Sequence, residues 1–385
     1  MKEDEKSIDF IKWFSELNKD SKAEAGGKGA NLAEIYNLGV QVPPGFMVTA
    51  QAYGYFIEKA GLKEKISNLL EKIDYENTKQ LDDITKEIRE LILKSKFPKE
   101  MEEEIIESYS NLNAEDIKDK KGDVSELLDA TSEPIFVAVR SSATTEDLAE
   151  ASFAGQQDSF VNVKGNSELL EAIKKCFASL FTSRATYYRN KKGFEHSKAL
   201  LAVVVQKMVD SDRSGVVFSK DPSFKNDNII IEAVYGLGEG IVSGKITPDM
   251  YVVSRNLEIL DTKISDKKIA LVRGNKENKG IVHLKEEVSK RQVLKEYQIK
   301  KIAETAIKLE EHYNAPQDIE FAIENESIFI VQTRPITTLE KRIGDEHNKE
   351  LQGEVILTGI AASPGIASGK IRIVRTLSDL QKIKT

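Results

Sequence analysis

The chain has 385 residues, a formal net charge of −7 and 40% hydrophobic residues, which is enough for two to three domains with hydrophobic cores. The mild negative charge and the lack of a basic tract argue against nucleic acid as a partner. No apolar run in the sequence is long enough to span a bilayer, which argues against a membrane partner. The single cysteine, Cys176, excludes an internal disulfide and fits a cytoplasmic location.

The first predicted helix follows the glycine-rich sequence GGKG at residues 26–29. Apolar residues then recur at helical spacing until Gly39, which is predicted to end the helix. Thr49 is the predicted N-cap of the next helix. Residues 62–112 alternate charged and apolar positions at helical spacing and predict two or three amphipathic helices of the scaffold.

The middle of the chain predicts a buried strand that leads into a polar loop. Residues 135–139 are an unbroken apolar run, and residues 140–142 (RSS) follow it. A second strand is predicted at 159–163, and an amphipathic helix at 166–190. From residue 200 onward, apolar strand-like runs dominate until a helix at about 288–314.

The sequence QDIEFAIENESIFIVQTRP predicts a β-hairpin, because apolar and polar residues alternate along it. A loop at residues 325–327 would pair Ile323 with Phe329 and Glu320 with Gln332. Paired residues share a face of a sheet, so the Glu320 carboxylate and the Gln332 amide should lie side by side.

The polar face of this hairpin also carries Arg334, two residues beyond Gln332. Carboxylate and amide oxygens suit a hard cation such as Mg²⁺, whereas a guanidinium suits a phosphate. The alternative is a surface hairpin with an ordinary ion pair.

Two basic residues upstream could also meet an anion. Lys28 lies in the GGKG sequence, which is predicted to be either a phosphate-binding loop before a helix or an ordinary turn. Arg140 leaves a buried strand, so its charge needs a partner. That partner is either a ligand or Asp147 in the same segment.

Three further features bear on ligand binding. Ala154-Gly155 would let a ligand approach the backbone closely. Gln206 ends an apolar run and would lie beside a flat slot suited to a purine, or else belong to an ordinary core strand. GLGEG at 236–240 fails the dinucleotide fingerprint, because Ile241 stands where that motif needs glycine.

Taken in order, GGKGANLAEI, VPPGF, VRSSATTEDLAEASFAGQ, GLGEG and DIEFA…IVQTRP resemble the ATP-binding domain of the phosphoenolpyruvate synthase (pyruvate, water dikinase) family. Pyruvate, phosphate dikinase and rifampicin phosphotransferase are related to that family. The resemblance covers about residues 8–340. It implies an α+β ATP-grasp fold with the nucleotide between two lobes, at 1–200 and 201–340, and it implies ATP and Mg²⁺ as cofactors.

The resemblance also implies roles for residues in the first two-thirds of the chain. Lys28 and Arg140 match a basic pair that contacts the phosphates. Gly155 and Ser159 match the loop over the phosphates, although some relatives have threonine where Ser159 stands. Gln206 matches a position beside the adenine.

On the hairpin, Glu320 and Gln332 match the Mg²⁺-binding and phosphate end of the site. Arg334 matches a phosphate-binding arginine. Together with Lys28 and Arg140, Arg334 is expected to form the catalytic set.

In enzymes of this family, ATP phosphorylates a histidine on a separate swinging domain, which carries the phosphoryl group to pyruvate. Residues 341–354 are predicted to be a linker, and residues 355–385 resemble the start of that phosphohistidine domain. The phosphocarrier histidine domain and the pyruvate-binding domain are therefore expected partners outside this sequence. A rifampicin-type phosphotransferase and a non-catalytic nucleotide sensor are the alternative functions.

Overall fold

The computed structural model describes residues 8–118, 134–144, 147–148, 151–152, 158–222, 226–274 and 280–336, and the single positions Gly369 and Ile373. Its side chains are described in the same ranges except 113–118, 147–148 and 151–152. The chain divides into two units, Met1–Thr338 and Leu339–Thr385. The predicted linker and the predicted start of a phosphohistidine domain lie outside the described residues, apart from those two single positions.

Helices and antiparallel sheets make up the first unit, so the fold is α+β as predicted. The α-helices are α1 (Lys22–Asn37), α2 (Ala50–Lys59), α3 (Lys63–Leu70), α4 (Thr78–Lys94), α5 (Lys99–Lys118), α6 (Asn166–Ser179), α7 (Ser183–Lys191), α8 (Glu239–Val242), α9 (Glu286–Ser289) and α10 (Glu296–Tyr313). Short 3₁₀ helices lie at Phe14–Glu16 and His196–Lys198. In the described part of the chain, no helix is both long and apolar enough to cross a membrane.

Most strands belong to two large sheets, one of five strands and one of six. The five-stranded sheet has the order β1 (Ile11–Trp13), β2 (Gly45–Val48), β7 (Leu201–Lys207), β3 (Phe136–Ala143) and β6 (Ser159–Lys164). The six-stranded sheet has the order β11 (Ile259–Lys263), β10 (Asp249–Val253), β9 (Ile229–Tyr235), β8 (Arg213–Phe218), β14 (Gln317–Glu324) and β15 (Ser327–Pro335). Two small pairs complete the strands, β4 (Asp147–Leu148) with β5 (Ala151–Ser152) and β12 (Ile269–Leu271) with β13 (Ile281–His283).

Strand β7 is central to the five-stranded sheet, because it pairs with both β2 and β3. Its five consecutive buried apolar residues, 201–205, explain the unbroken apolar run in the sequence. Since β7 follows residue 200, this sheet draws strands from both sides of the predicted lobe boundary. The division into lobes at 200 remains a prediction.

Two large hydrophobic cores stabilise the described part of the unit. One packs the helices α2 and α4–α6 on one face of the five-stranded sheet. The other core lies on the opposite face of that sheet, where it includes Met47 and Val204. It also contains residues of helices α1 and α10, and Val217 and Ile319 of the six-stranded sheet. Helix α1 therefore packs against both large sheets.

Several predicted boundaries need correction. Strand β3 continues to Ala143, so Arg140 lies within the strand and not in a loop after it, because β7 pairs with the strand to its end. The predicted helix at 166–190 is two helices, and the Thr182 side chain caps the second of them by accepting from Ala185 N–H. The predicted helix at 288–314 is the short α9 followed by α10. Thr49 does cap α2 as predicted, accepting from Ala52 N–H at 3.1 Å.

The hairpin β14–β15 has the predicted Glu320–Gln332 pairing but a different turn. Ile323 pairs with Ile328, so the predicted pairing with Phe329 is wrong. The turn has two residues, Asn325 and Glu326, and both have positive φ, as a tight hairpin turn requires. A β-bulge farther along β15 adds one residue and restores the predicted pairing.

Candidate functional site

A cleft of about 330 Å³ lies between the two large sheets, within the size range of small-molecule pockets. Strands β3, β6 and β7 form one wall, and strands β8, β14 and β15 form the other. Five of the eight residues singled out in the sequence line this cleft: Arg140, Ser159, Gln206, Glu320 and Gln332.

Lys28 lies beside the cleft, at the start of the main part of helix α1. Gly26 interrupts the helix with φ 66° and ψ 177°, and the helix resumes at Gly27, so Lys28 lies in a helical turn and not in the predicted loop. The Lys28 Nζ donates to the carbonyl oxygen of Ser141 at 3.2 Å. This contact places the ammonium group next to Arg140 on strand β3.

Ser142 holds the break in helix α1 against strand β3. Its hydroxyl donates to Ala25 O at 2.7 Å and accepts from Gly29 N–H at 3.1 Å. A Cβ atom at Gly26 would lie 2.2 Å from Ser142 O. Only glycine fits this close approach and this φ, which explains the GG sequence before Lys28.

Arg140 spans the cleft from one sheet to the other. Its strand neighbour is Ser159 on β6, and its Nη1 donates to the Val331 carbonyl on β15 at 2.8 Å. Val331 is the extra residue of the β-bulge. The bulge thus gives the Arg140 guanidinium a neutral acceptor at the cleft.

The cleft face of the hairpin carries two acids, an amide and a guanidinium. Glu320 pairs with Gln332, and two residues along each strand, on the same face, Asp318 pairs with Arg334. Asp318 Oδ2 accepts from Arg334 Nε at 2.9 Å and from Arg334 Nη2 at 2.7 Å. The ion pair that the sequence left open as an alternative therefore exists, but it lies on the same face as Glu320 and Gln332.

Gln206 lines the cleft near the end of strand β7. It is buried in β7, and its amide donates to Pro43 O at 3.3 Å. The following residues, 207–209, continue along the cleft wall and include Met208 and Val209. This end of the cleft therefore combines apolar side chains with the polar backbone of a strand end.

Sequence reasoning missed two groups of residues at the cleft. Leu237, Gly238 and Glu239, from the rejected GLGEG sequence, line the wall of the cleft. Asp318 was missed although it lies two residues before Glu320, and period-2 alternation alone places it on the same face. Gly155 lies outside the described residues.

The cleft offers oxygen ligands for a cation but no complete set from protein alone. Within the described ranges, no group of three or more His, Cys, Asp or Glu residues is arranged to hold a metal ion. Glu320 and Gln332 provide two adjacent oxygens. That number fits Mg²⁺, which usually keeps water and substrate phosphate as its other ligands.

Comparison with known proteins gives a consistent result. The family described as "Pyruvate phosphate dikinase, AMP/ATP-binding domain" matches residues 22–354. A probable phosphoenolpyruvate synthase of Methanocaldococcus jannaschii is 42% identical over 382 residues, which are 98% of this chain and 31% of the relative. A probable phosphoenolpyruvate synthase of Archaeoglobus fulgidus is 44% identical over 379 residues, 97% of this chain and 48% of the relative.

The phosphoenolpyruvate synthase of Pyrococcus furiosus is 40% identical over 418 residues, which cover 97% of this chain and 47% of that protein. The chain thus spans between 31% and 48% of the length of these three relatives.

Proposed function

Because this chain belongs to the pyruvate phosphate dikinase AMP/ATP-binding family, we propose that its cleft binds ATP with Mg²⁺ in an ATP-grasp fold and donates a phosphoryl group. The observation that carries the proposal is the convergence of Arg140, Glu320 and Gln332 on one cleft between two sheets. Lys28 and Arg334 lie beside these residues.

The two ends of the cleft suit the two ends of a nucleotide. The wall at Met208, Val209 and Leu237 is apolar and suits the purine face, and the Gln206 amide adds polar contacts. The Glu239 carboxylate on the same wall can accept from ribose hydroxyls, as acidic residues do in other nucleotide sites.

The charged end suits the triphosphate. Arg140 and Lys28 approach from the five-stranded sheet and helix α1, and Arg334 approaches from the hairpin. Asp318 fixes the Arg334 fork with two hydrogen bonds, so the guanidinium is preorganised before phosphate arrives. Phosphoryl transfer depends mainly on such positioning and charge stabilisation.

The fit to Mg²⁺ rests on Glu320 and Gln332, which would hold the ion through one carboxylate and one amide oxygen. When bound, the ion would neutralise phosphate charge during transfer. The protein residues would align the triphosphate and exclude water from it, so that the phosphoryl group reaches its proper acceptor.

For the whole protein, we propose the phosphoenolpyruvate synthase reaction, in which ATP, pyruvate and water give phosphoenolpyruvate, AMP and phosphate. The relatives' names support this reaction over that of a rifampicin-type phosphotransferase. The phosphohistidine carrier and the pyruvate site would belong to the part of the protein that this chain does not span.

Titration calorimetry with ATP, in the presence and absence of Mg²⁺, tests the proposal. We expect micromolar to millimolar affinity that improves with Mg²⁺, and weaker binding in Arg140→Met. Arg255→Met is the matched control, because Arg255 pairs with Glu310 outside the cleft lining. Absence of heat with a folded sample under both conditions would refute ATP binding.

A further inference from the structure

A second cavity, of about 540 Å³, lies away from the cleft, beside helices α2 and α3. Its walls are mainly apolar and aromatic, formed by Tyr53, Ile57, Ile66, Leu70, Phe181 and Leu200. His196 also lines it, from the short 3₁₀ helix before β7. None of these residues lines the cleft between the sheets.

A buried guanidinium lies directly behind this wall. Arg189, on α7, is only 2% exposed. Its Nε donates to His196 Nδ1 at 3.2 Å, and its guanidinium carbon lies 5.8 Å from the centroid of the Phe181 ring. Two residues of the cavity wall are thus in contact with the Arg189 side chain.

The polar groups around Arg189 are not all satisfied. Within the described side chains, Arg189 Nη2 has no hydrogen-bond partner, and neither does the buried Thr186 Oγ1 one helical turn before it. Buried polar groups normally have partners, and an unmet donor costs about 1–3 kcal/mol. Two such groups on adjacent turns of one helix point to a missing acceptor.

The charge of Arg189 also indicates a missing acceptor. Burial lowers the pKa of Arg189 to about 10, so the group is still a cation at neutral pH. Burial, with the nearby Arg189 charge, lowers the pKa of His196 to about 4, so the imidazole is neutral. Among the described side chains, Arg189 bonds to the neutral His196 ring and forms no ion pair with an acid, although buried charges are normally paired.

His196 is a replaceable acceptor. Because its Nδ1 accepts from Arg189, its Nε2 carries the proton and donates to the Tyr75 hydroxyl, 2.8 Å away. A hydrogen bond from a guanidinium to an anion is about twice as strong as one to a neutral acceptor. An anion that reaches Arg189 would therefore be favoured over the imidazole.

We propose that this cavity binds a small apolar monocarboxylate, whose carboxylate displaces the His196 ring from Arg189 and accepts from Arg189 and Thr186. The apolar walls would hold the body of the ligand. A planar carboxylate matches the guanidinium fork. Glu58, Glu71 and Glu195 also line the cavity, with Lys63 as the one lysine of the lining. This balance disfavours a ligand with several negative charges. The proposal does not depend on the function of the cleft.

The test is a titration of the full chain with phenylacetate, followed by the ring-proton NMR signals of its four histidines. His196→Ala assigns the signal of that residue. We expect the His196 signal to shift on binding while the other three signals stay in place. The neutral analogue 2-phenylethanol should bind at least about 10-fold more weakly, since it cannot pair with the charge.

Two variants separate the anion site from the apolar cavity. Arg189→Met should weaken phenylacetate binding by about 10-fold or more. Leu70→Trp leaves Arg189 in place and fills the cavity, so it should also abolish phenylacetate binding. If Arg189→Met fails to fold, the Leu70→Trp variant alone tests whether the ligand occupies the cavity. No shift at about 20 mM phenylacetate, where a millimolar ligand would saturate, would overturn the proposal and leave water as the partner of Arg189. Equal binding of 2-phenylethanol, or full binding by a folded Arg189→Met, would overturn it as well.

Discussion

At the residue scale, the hairpin face is a row of groups whose positions depend on one another. Asp318 orients Arg334 through two hydrogen bonds to one oxygen atom. Glu320 lies opposite Gln332 in the next pair on the same face, two residues along each strand. The negative charge of Asp318 also limits the net positive charge of this end, so the proposed site does not simply attract any anion.

Arg334→Lys tests the planar fork. Lysine keeps the charge but cannot make the two parallel hydrogen bonds that fix the head group. Assayed in the complete enzyme, we expect phosphoryl transfer to fall by about 100-fold, the usual cost of removing one transition-state donor. Arg255→Lys, at an ion pair outside the cleft, should leave the rate unchanged. Full activity of Arg334→Lys would mean that the Asp318 pair serves only the fold.

Glu320→Gln tests the proposed metal ligand with almost no change in shape. We expect Mg²⁺–ATP to bind about 10-fold more weakly in calorimetry, whereas ATP without Mg²⁺ should bind about as well as in the wild type. Glu324→Gln is the matched control, because Glu324 lies on the same strand and accepts from Asp210 N–H near the turn. An equal loss with and without Mg²⁺ would argue against a metal role.

The pairing of Glu320 with Gln332 could be predicted because side chains alternate strictly along a strand and each pairing fixes the next. The turn could not be predicted. Glu326 adopts a positive φ that favours glycine, and it does so where Lys295 and Tyr297, distant in sequence, bind its carboxylate. The predicted loop was one residue too long, so the pairing of Ile323 was predicted wrongly. The extra residue of the bulge, Val331, offsets this difference, so the predicted pairing of Glu320 with Gln332 is correct.

At the element scale, helix α1 positions one side of the site and ties it to the other. Its Lys28 reaches strand β3. Its buried Asn31 donates to the Thr333 carbonyl on β15 at 3.4 Å. Near its end, Glu34 binds the His312 ring of α10 at 2.7 Å. The helix therefore contacts both walls of the cleft.

Gly26→Ala should destabilise the fold by more than about 2 kcal/mol, because it combines a forbidden φ with the clash against Ser142. Gly39 has a positive φ but open space, so Gly39→Ala should cost only about 1 kcal/mol. Gly54→Ala, inside α2 and also in open space, should stabilise by about 0.5–1 kcal/mol. Urea unfolding of the three variants measures this order, and similar values for Gly26 and Gly39 would exclude the clash as the main cause.

Glu34→Gln tests the contact between α1 and α10 through its pH dependence. Burial alone would raise the pKa of Glu34, but hydrogen bonds from Lys19 N–H and His312 outweigh it, and the pKa is lowered. A carboxyl group with a lowered folded-state pKa stabilises the fold above its unfolded pKa. That contribution is lost as pH falls through the folded pKa.

We therefore expect Glu34→Gln to lower the free energy of unfolding by about 1–2 kcal/mol at pH 7, and the difference to shrink below about pH 4. Urea unfolding at pH 7 and pH 3 measures both values. The exposed Glu311, beside His312, provides the control substitution Glu311→Gln, which should change neither value. A pH-independent cost of Glu34→Gln would mean that packing, not charge, is lost.

The start of α1 shows why part of the site could not be predicted from sequence. The GGKG pattern left two interpretations open, a phosphate-binding loop before a helix or an ordinary turn. What decides the conformation is Ser142, more than a hundred residues away, which holds the break at Gly26. Contacts between distant segments, such as Arg140 with Val331, likewise leave no local pattern in the sequence.

At the scale of the whole molecule, the proposed site lies where two sheets share one core through α1. The proposed phosphate-binding groups come from both sides of this core. An acceptor for the phosphoryl group must reach the open end of the cleft from outside. None of the four histidines of this chain follows the family's carrier motif in the sequence. Two of these histidines make contacts described above: His312 binds Glu34, and His196 binds Arg189.

We therefore expect that this chain alone, given Mg²⁺, ATP and pyruvate, forms no phosphoenolpyruvate. Phosphoryl transfer depends mainly on positioning, so without the acceptor the reaction is lost and at most slow hydrolysis by water remains.

The relatives carry more than half of their length beyond this match. Adding those segments, linked or as a separate chain, should restore phosphoenolpyruvate and AMP in equal amounts, measured by coupled assay. The Arg334→Lys chain with the same segments should restore about 100-fold less. Robust phosphoenolpyruvate formation by the chain alone would show that the carrier histidine lies within residues 1–385. It would overturn the proposal that the carrier and the pyruvate site belong to other segments of the protein.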